Sequence, residues 1–152
     1  MTQPPYKAPD FSLVGDDDKR HELKDYAGSY FVLYFYPKDD TPGCTTQACS
    51  IRDSYSEFEK ADVPVVGVSM DSPAEHQAFK TKYNLPFTLL SDPMGKTIRA
   101  YEAWGKKMFG NEGILRKTFI IDSDGVVQKV YGRATPDGHG TKILEALAEL
   151  KK

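Results

Sequence analysis

The chain has 152 residues, a net charge of −2, and 39% hydrophobic against 28% charged residues. This length predicts one domain, residues 1–152, with a single sizeable core. The balance of apolar and charged residues excludes a disordered or fibrous chain. No apolar run approaches the roughly 20 residues that a membrane span needs. No basic cluster indicates binding to nucleic acid.

The cysteine content indicates the compartment. Two cysteines, Cys44 and Cys49, are too few for the disulfide scaffold of a small secreted protein. The first residues also lack the apolar segment of a secretory signal. We therefore expect a cytoplasmic protein, in which two cysteines this close together are typical of catalysis or metal binding.

The first half of the chain predicts alternating strands and helices. A small hairpin is expected from Phe11–Leu13 and the region near His21. The nearly continuous apolar run Tyr30–Tyr36 predicts a strand that is buried on both faces. A helix should follow from Thr45 to Lys60, and Val63–Ser69 predicts a second buried strand.

The second half continues this pattern. Ser72 as N-cap and Pro73 at the first helical position predict a helix that runs to Tyr83. Phe87–Leu90 predicts a short strand, and a hairpin and an amphipathic helix complete the chain. These last elements are the strands Thr118–Ile121 and Val126–Tyr131 and a helix with Ile143, Leu144, Leu147 and Leu150 on one face. The order predicts an α/β, thioredoxin-like fold with a central mixed β-sheet and helices on both faces.

The segment 37–43, before Cys44, predicts a polar turn that ends where a helix starts. A thiol in the first turn of a helix faces unpaired backbone N–H groups and the positive end of the helix dipole. Both favour the thiolate, which is the nucleophilic form of cysteine. Cys44 should begin the buried face of this helix, which continues through Ala48, Ile51, Tyr55 and Phe58.

Cys49 lies five residues later, about 140° around the helix and about 7.5 Å along it. The two Cα atoms should therefore be about 8.7 Å apart, beyond the roughly 4.4–6.8 Å that a disulfide spans. A Cys44–Cys49 disulfide would require the first turns of the helix to unwind. An inert buried thiol at Cys44, and a plain helical residue at Cys49, are the structural alternatives.

A metal site is not expected near these cysteines. No third or fourth ligand lies close to them in sequence, and the histidines are scattered. We expect His21, His76 and His139 each to lie at the surface.

The motif Pro37-x-x-x-Thr41-x-x-Cys44 resembles the active-site motif of the peroxiredoxins. The longer string over residues 34–49, YFYPKDDTPGCTTQAC, is similar to the bacterioferritin comigratory protein or peroxiredoxin Q subfamily. Further matches at 87–92, 104–106 and 116–122 extend the similarity over nearly the whole chain.

This resemblance implies a thiol peroxidase that reduces hydrogen peroxide and alkyl hydroperoxides. It implies that Cys44 attacks the peroxide, that Cys49 of the same chain resolves the product, and that Thr41, Arg116 and Pro37 complete the site. It also implies thioredoxin or a thioredoxin-like reductant, and no metal, haem or flavin. The chain lacks the C-terminal extension and the Gly-Gly-Leu-Gly loop of typical two-cysteine peroxiredoxins, so a monomer is expected.

The chemistry of these side chains suits those roles. The guanidinium of Arg116 stays charged and offers several fixed donors. The hydroxyl of Thr41 can accept from a peroxide while it donates to the sulfur. Without the resemblance, Arg116 would read as a strand-end residue in a salt bridge, and Thr41 as a turn residue.

Two other functions would use the same cysteine pair. One is a protein disulfide reductase or isomerase, and the other is a redox sensor or holdase-like binding protein. The C-x₄-C spacing and the set Pro37, Thr41 and Arg116 argue against the first. No feature of the sequence indicates the partner surface that the second would need. The preferred peroxide stays open.

Overall fold

The computed structural model describes residues 3–107 and 110–151, which form a large sheet, a separate hairpin and the helices around them. The strands are β1 (Tyr6–Lys7), β2 (Ser12–Gly15), β3 (Arg20–Glu22), β4 (Phe31–Phe35), β5 (Val65–Ser69), β6 (Thr88–Ser91), β7 (Trp104–Lys106), β8 (Glu112–Ile114), β9 (Lys117–Ile121) and β10 (Val126–Tyr131). The α-helices are α1 (Pro42–Asp53), α2 (Tyr55–Lys60), α3 (Pro73–Tyr83), α4 (Lys96–Ala100) and α5 (His139–Leu150). Within the described ranges, no helix is long and apolar enough to cross a membrane.

The large sheet is mixed. Its strand order is β1-β10-β9-β4-β5-β6-β2-β3, and β7 and β8 form a separate two-stranded sheet. The neighbours β4, β5 and β6 run parallel and are joined by helices, whereas β9 runs antiparallel to β4. The α/β, thioredoxin-like fold predicted from the sequence is therefore confirmed.

The core lies on both faces of this sheet. Alternate residues of β4 divide between the two faces, because successive side chains of a strand point in opposite directions. Phe31 and Phe35 pack with α4, while Val32 and Tyr34 pack with α1, α2, α3 and α5. The prediction of helices on both faces is confirmed.

Helix α1 differs from the predicted helix at both ends. It begins three residues before Thr45, because Thr41 is an extended N-cap and Pro42 suits the first helical position. The helical run is interrupted at Ser54, whose φ and ψ are −100° and 1°, and it continues as α2. The earlier start places Cys44 as the third residue of the helix.

Candidate active site

The site lies at the edge where the three parallel strands end. Helix α1 starts after the carboxyl end of β4, so Cys44 lies at this edge. Strand β9 runs in the opposite direction, and its first residue, Lys117, pairs with Phe35 at the end of β4. The residue before β9 is Arg116, so two residues that are 72 positions apart in sequence meet here.

Cys44 is held between the start of α1 and Arg116. Its side chain is buried, with 2% of its surface exposed. Nη2 of Arg116 donates a hydrogen bond to Sγ of Cys44 over 3.4 Å. The positive end of the α1 dipole and the Arg116 guanidinium thus both lie close to the sulfur.

Gln47 fixes the arginine, and the sequence analysis did not identify it. Its Oε1 accepts a hydrogen bond of 2.7 Å from Nη1 of Arg116, and its side chain is fully buried. Its Nε2 has no hydrogen-bond partner among the described residues. The available signal was its position three residues after Cys44, which places an amide on the buried face of the helix.

Thr41 is the N-cap residue of α1, and Pro37 lines the same groove as Arg116. The Thr41 hydroxyl donates to the carbonyl oxygen of Lys38 over 2.7 Å. The sequence analysis expected this hydroxyl to donate to the sulfur, and that expectation is wrong. The hydroxyl oxygen can still accept a hydrogen bond from a donor such as a peroxide. Pro37 and Arg116 both line a groove of about 690 Å³ that leads to this edge of the sheet.

Cys49 is half-buried, and both cysteines are free. Helix α1 is continuous over both positions. This is the arrangement expected of the reduced protein, because the intact helix keeps the two Cα atoms too far apart for a disulfide.

The expectation that His76 and His139 lie at the surface is wrong, because both are fully buried. Nε2 of His139 lies 2.8 Å from Oγ1 of Thr118, and its Nδ1 has no partner among the described residues. Burial, with Lys142 and Arg116 nearby, lowers the pKa of His139 to about 4. His139 is therefore neutral at pH 7.

His76 links the loop before α1 to the sheet by contacts of both ring nitrogens. Its Nε2 donates to the carbonyl oxygen of Leu90 over 2.9 Å, and its Nδ1 lies 2.6 Å from Oδ2 of Asp39. Asp71 accepts from the backbone N–H of Asp39 over 2.8 Å. Asp39, Asp71 and His76 bring ligand atoms within 4.8 Å of one another. Both nitrogens of His76 are already engaged with protein atoms, so these residues form a structural network.

Comparisons with known proteins show which chains are similar to this one. Residues 4–130 match the AhpC/TSA family. The chain is 46% identical to "Peroxiredoxin Bcp" of Bacillus subtilis (strain 168) over 149 residues, 96% of this chain and 95% of that protein. It is 47% identical to "Peroxiredoxin Q, chloroplastic" of Populus jackii over 146 residues, 93% of this chain and 66% of that protein.

A solved structure shows the same architecture. The bacterioferritin comigratory protein of Xanthomonas campestris, described for its alkyl peroxide reduction activity, superposes with a TM-score of 0.88. It is 34% identical, and the match covers 93% of this chain and 92% of that one.

Proposed function

Because the chain belongs to the AhpC/TSA family and is a peroxiredoxin, an enzyme that reduces peroxides with a thiol, we propose that Cys44 attacks the peroxide and Cys49 resolves the product. The observation that carries this assignment is the Arg116 guanidinium on the Cys44 sulfur, at 3.4 Å. Of the two cysteines, Cys44 is the one at a helix start with a fixed cation beside it.

The first step is attack of the Cys44 thiolate on one peroxide oxygen. The sulfur gains that oxygen and becomes a sulfenic acid, while the O–O bond breaks and the other oxygen leaves as hydroxide or alkoxide. That leaving oxygen takes up a proton to give water or an alcohol. Arg116 and the helix N–H groups stabilise the negative charge as it moves from sulfur to oxygen.

Thr41 and Pro37 have supporting roles in this proposal. The Thr41 hydroxyl donates to Lys38, so its oxygen accepts from the O–H of the peroxide and orients the attacked oxygen towards the sulfur. Pro37 offers no backbone N–H and fixes the turn beside the groove. It helps to exclude water from the sulfenic acid.

The second step joins the two cysteines. The Cys49 thiol attacks the sulfenic acid of Cys44, and a disulfide forms as water leaves. Because the helix keeps the two Cα atoms about 8.7 Å apart, the first turns of α1 must unwind before this step. Unwinding also exposes the disulfide to an external dithiol, which returns both cysteines to thiols by exchange.

The reductant in this proposal is thioredoxin or a thioredoxin-like dithiol protein, and no cofactor is required. We further propose a cytoplasmic monomer that folds as one domain, residues 1–152. The continuous large sheet, which runs from β1 near the start of the chain to β10 near its end, supports a single domain.

Mass spectrometry of the protein after one equivalent of hydrogen peroxide tests the two assignments. The reduced protein should lose two hydrogens within a rapid quench series. Cys44→Ser should not change in mass. Cys49→Ser should gain one oxygen and should not be recycled by thioredoxin. Full thioredoxin-driven turnover of Cys49→Ser would contradict the role given to Cys49. Slow oxidation of the unaltered protein would contradict the role given to Cys44.

A further inference from the structure

The groove beside Arg116 is strongly cationic, although the chain as a whole is slightly acidic. Half of its ten lining residues carry positive charge, and none of these ten carries a carboxylate. The other five are apolar residues and a glycine. The five cations are Lys106, Lys107, Arg116, Lys117 and Arg133.

These five cations differ in what they contact. Arg116 is engaged by Cys44 and Gln47, and Lys117 is buried. Lys106 and Arg133 are exposed, and neither forms an ion pair with another described residue. We call the part of the groove that these two exposed cations line its mouth, and both are available to a ligand.

Few carboxylates lie near the cations of the groove, and one of them, Glu102, acts on the buried Lys117. Glu112 lies opposite Lys106 in the β7–β8 pair, but no ion pair joins these two described residues. Lys107 is half-buried, and burial lowers its pKa, an effect that the Arg116 charge reinforces and negative charge on Cys44 opposes. A groove of like charges with few counter-charges concentrates anions from solution.

We propose that this groove selects hydroperoxides that carry a second, anionic group, and that Lys106 and Arg133 bind that group while the peroxide reaches Cys44. The inference rests on the function proposed above and adds a substrate class to it. The apolar lining residues of the groove offer contacts to the carbon skeleton that joins a carboxylate to a hydroperoxide. Hydrogen peroxide has no such group, so Lys106 and Arg133 do not contribute to its binding.

A matched pair of substrates tests the charge alone. Cumene hydroperoxide with a para-carboxylate is compared with its methyl ester, through the second-order rate constant of Cys44 oxidation. The protein should react faster with the acid than with the ester. This ratio should fall as the salt concentration rises, because salt screens exposed charges.

Two double variants locate the effect. An exposed ionic contact contributes about two- to fivefold, so Lys106→Gln with Arg133→Gln should lower the acid-to-ester ratio about tenfold. Lys7→Gln with Lys19→Gln makes the same change of net charge at exposed residues outside the groove. That control should keep the ratio of the unaltered protein.

The rate with hydrogen peroxide, measured on the unaltered protein, separates the two proposals. No reaction with hydrogen peroxide would overturn the proposed function and this inference with it. A normal reaction with an acid-to-ester ratio of one or less would overturn only the inference. Equal changes of the acid-to-ester ratio in the groove variant and the control variant would also overturn only the inference.

Discussion

The two halves of helix α1, residues 42–47 and 48–53, are held by different kinds of contact. In the first half, Cys44 and Gln47 are bound by hydrogen bonds from a single side chain, Arg116. The second half is held by close packing, because Ile51 is fully buried and a Cβ on Gly140 would lie 2.6 Å from the carbonyl oxygen of Ser50. We therefore expect the half that carries Cys44 to unwind more readily than the other half.

Anchors on both sides limit how far α1 can unwind. Before the helix, Asp39 is bound by His76, and Asp40 by Lys82 at 2.7 Å. After Cys49, the backbone N–H of Gly140 donates to Oγ of Ser50 over 3.0 Å. Residues 41–49 lie between these anchors and include both cysteines. This difference between the halves suits a disulfide that forms by local unwinding, as the proposed function requires.

Substitution of Arg116 should have the largest effect, because it removes the main contact of the first half. Arg116→Lys keeps the charge but loses the planar fork that binds Cys44 and Gln47 at once. We expect Cys44 oxidation by hydrogen peroxide to slow about 10²- to 10³-fold, as when one fixed donor is lost from a transition state. Rapid-quench mass spectrometry measures this rate.

The matched control is Arg20→Lys, which makes the same change at an exposed residue of β3. It should oxidise at the rate of the unaltered protein. An Arg116→Lys rate within threefold of that control would mean that a positive charge near the sulfur is sufficient. The two hydrogen bonds that Arg116 makes to the first half of α1 would then not be needed for rapid oxidation of Cys44.

Acid should weaken the region that holds the second half of α1, because His139 lies at the start of α5, next to Gly140. The pKa of His139 is lowered to about 4 from its usual 6.5, so the unfolded chain binds a proton there at a higher pH than the folded protein. Stability is then full above pH 6.5 and falls as the pH drops towards 4, by roughly 3 kcal/mol in total.

Urea unfolding at pH 7.0 and pH 4.5 measures this loss. Carboxyl groups also titrate in this range, so the unaltered protein is compared with His139→Gln, which has no ionisable group at the position. The unaltered protein should lose more stability between the two pH values than the variant does. Equal losses would show that His139 contributes nothing to the pH dependence.

Local patterns were enough to predict most of the fold. The apolar run of β4 and the Ser72-Pro73 start of α3 identified these elements to within a residue, because their signals lie in neighbouring residues. The break at Ser54 was not predicted. The apolar stripe from Cys44 to Phe58 continues across it, so the pattern itself gives no sign of an interruption.

The site was predicted in part, and the missing residues share one physical cause. Cys44 was identified by its place at a helix start, and Arg116 by resemblance. Gln47 and the buried histidines depend on partners far away in sequence. Gln47 meets Arg116 from 69 residues away, and His76 meets Asp39 from 37 residues away. Such pairs are set by how the strands and helices pack, which no local pattern records.

Gly140 gives the smallest expected effect and the most direct test of how the second half of α1 is held. Gly140→Ala would place its methyl group 2.6 Å from the Ser50 carbonyl oxygen, a backbone atom that cannot move without shifting α1. Such overpacking should lower the free energy of unfolding by about 2 kcal/mol. Gly113→Ala is the control, since its nearest neighbour is a flexible lysine side chain at 3.6 Å. If the two variants were equally stable, packing against α5 would not anchor α1, and the unwinding segment could extend beyond Cys49.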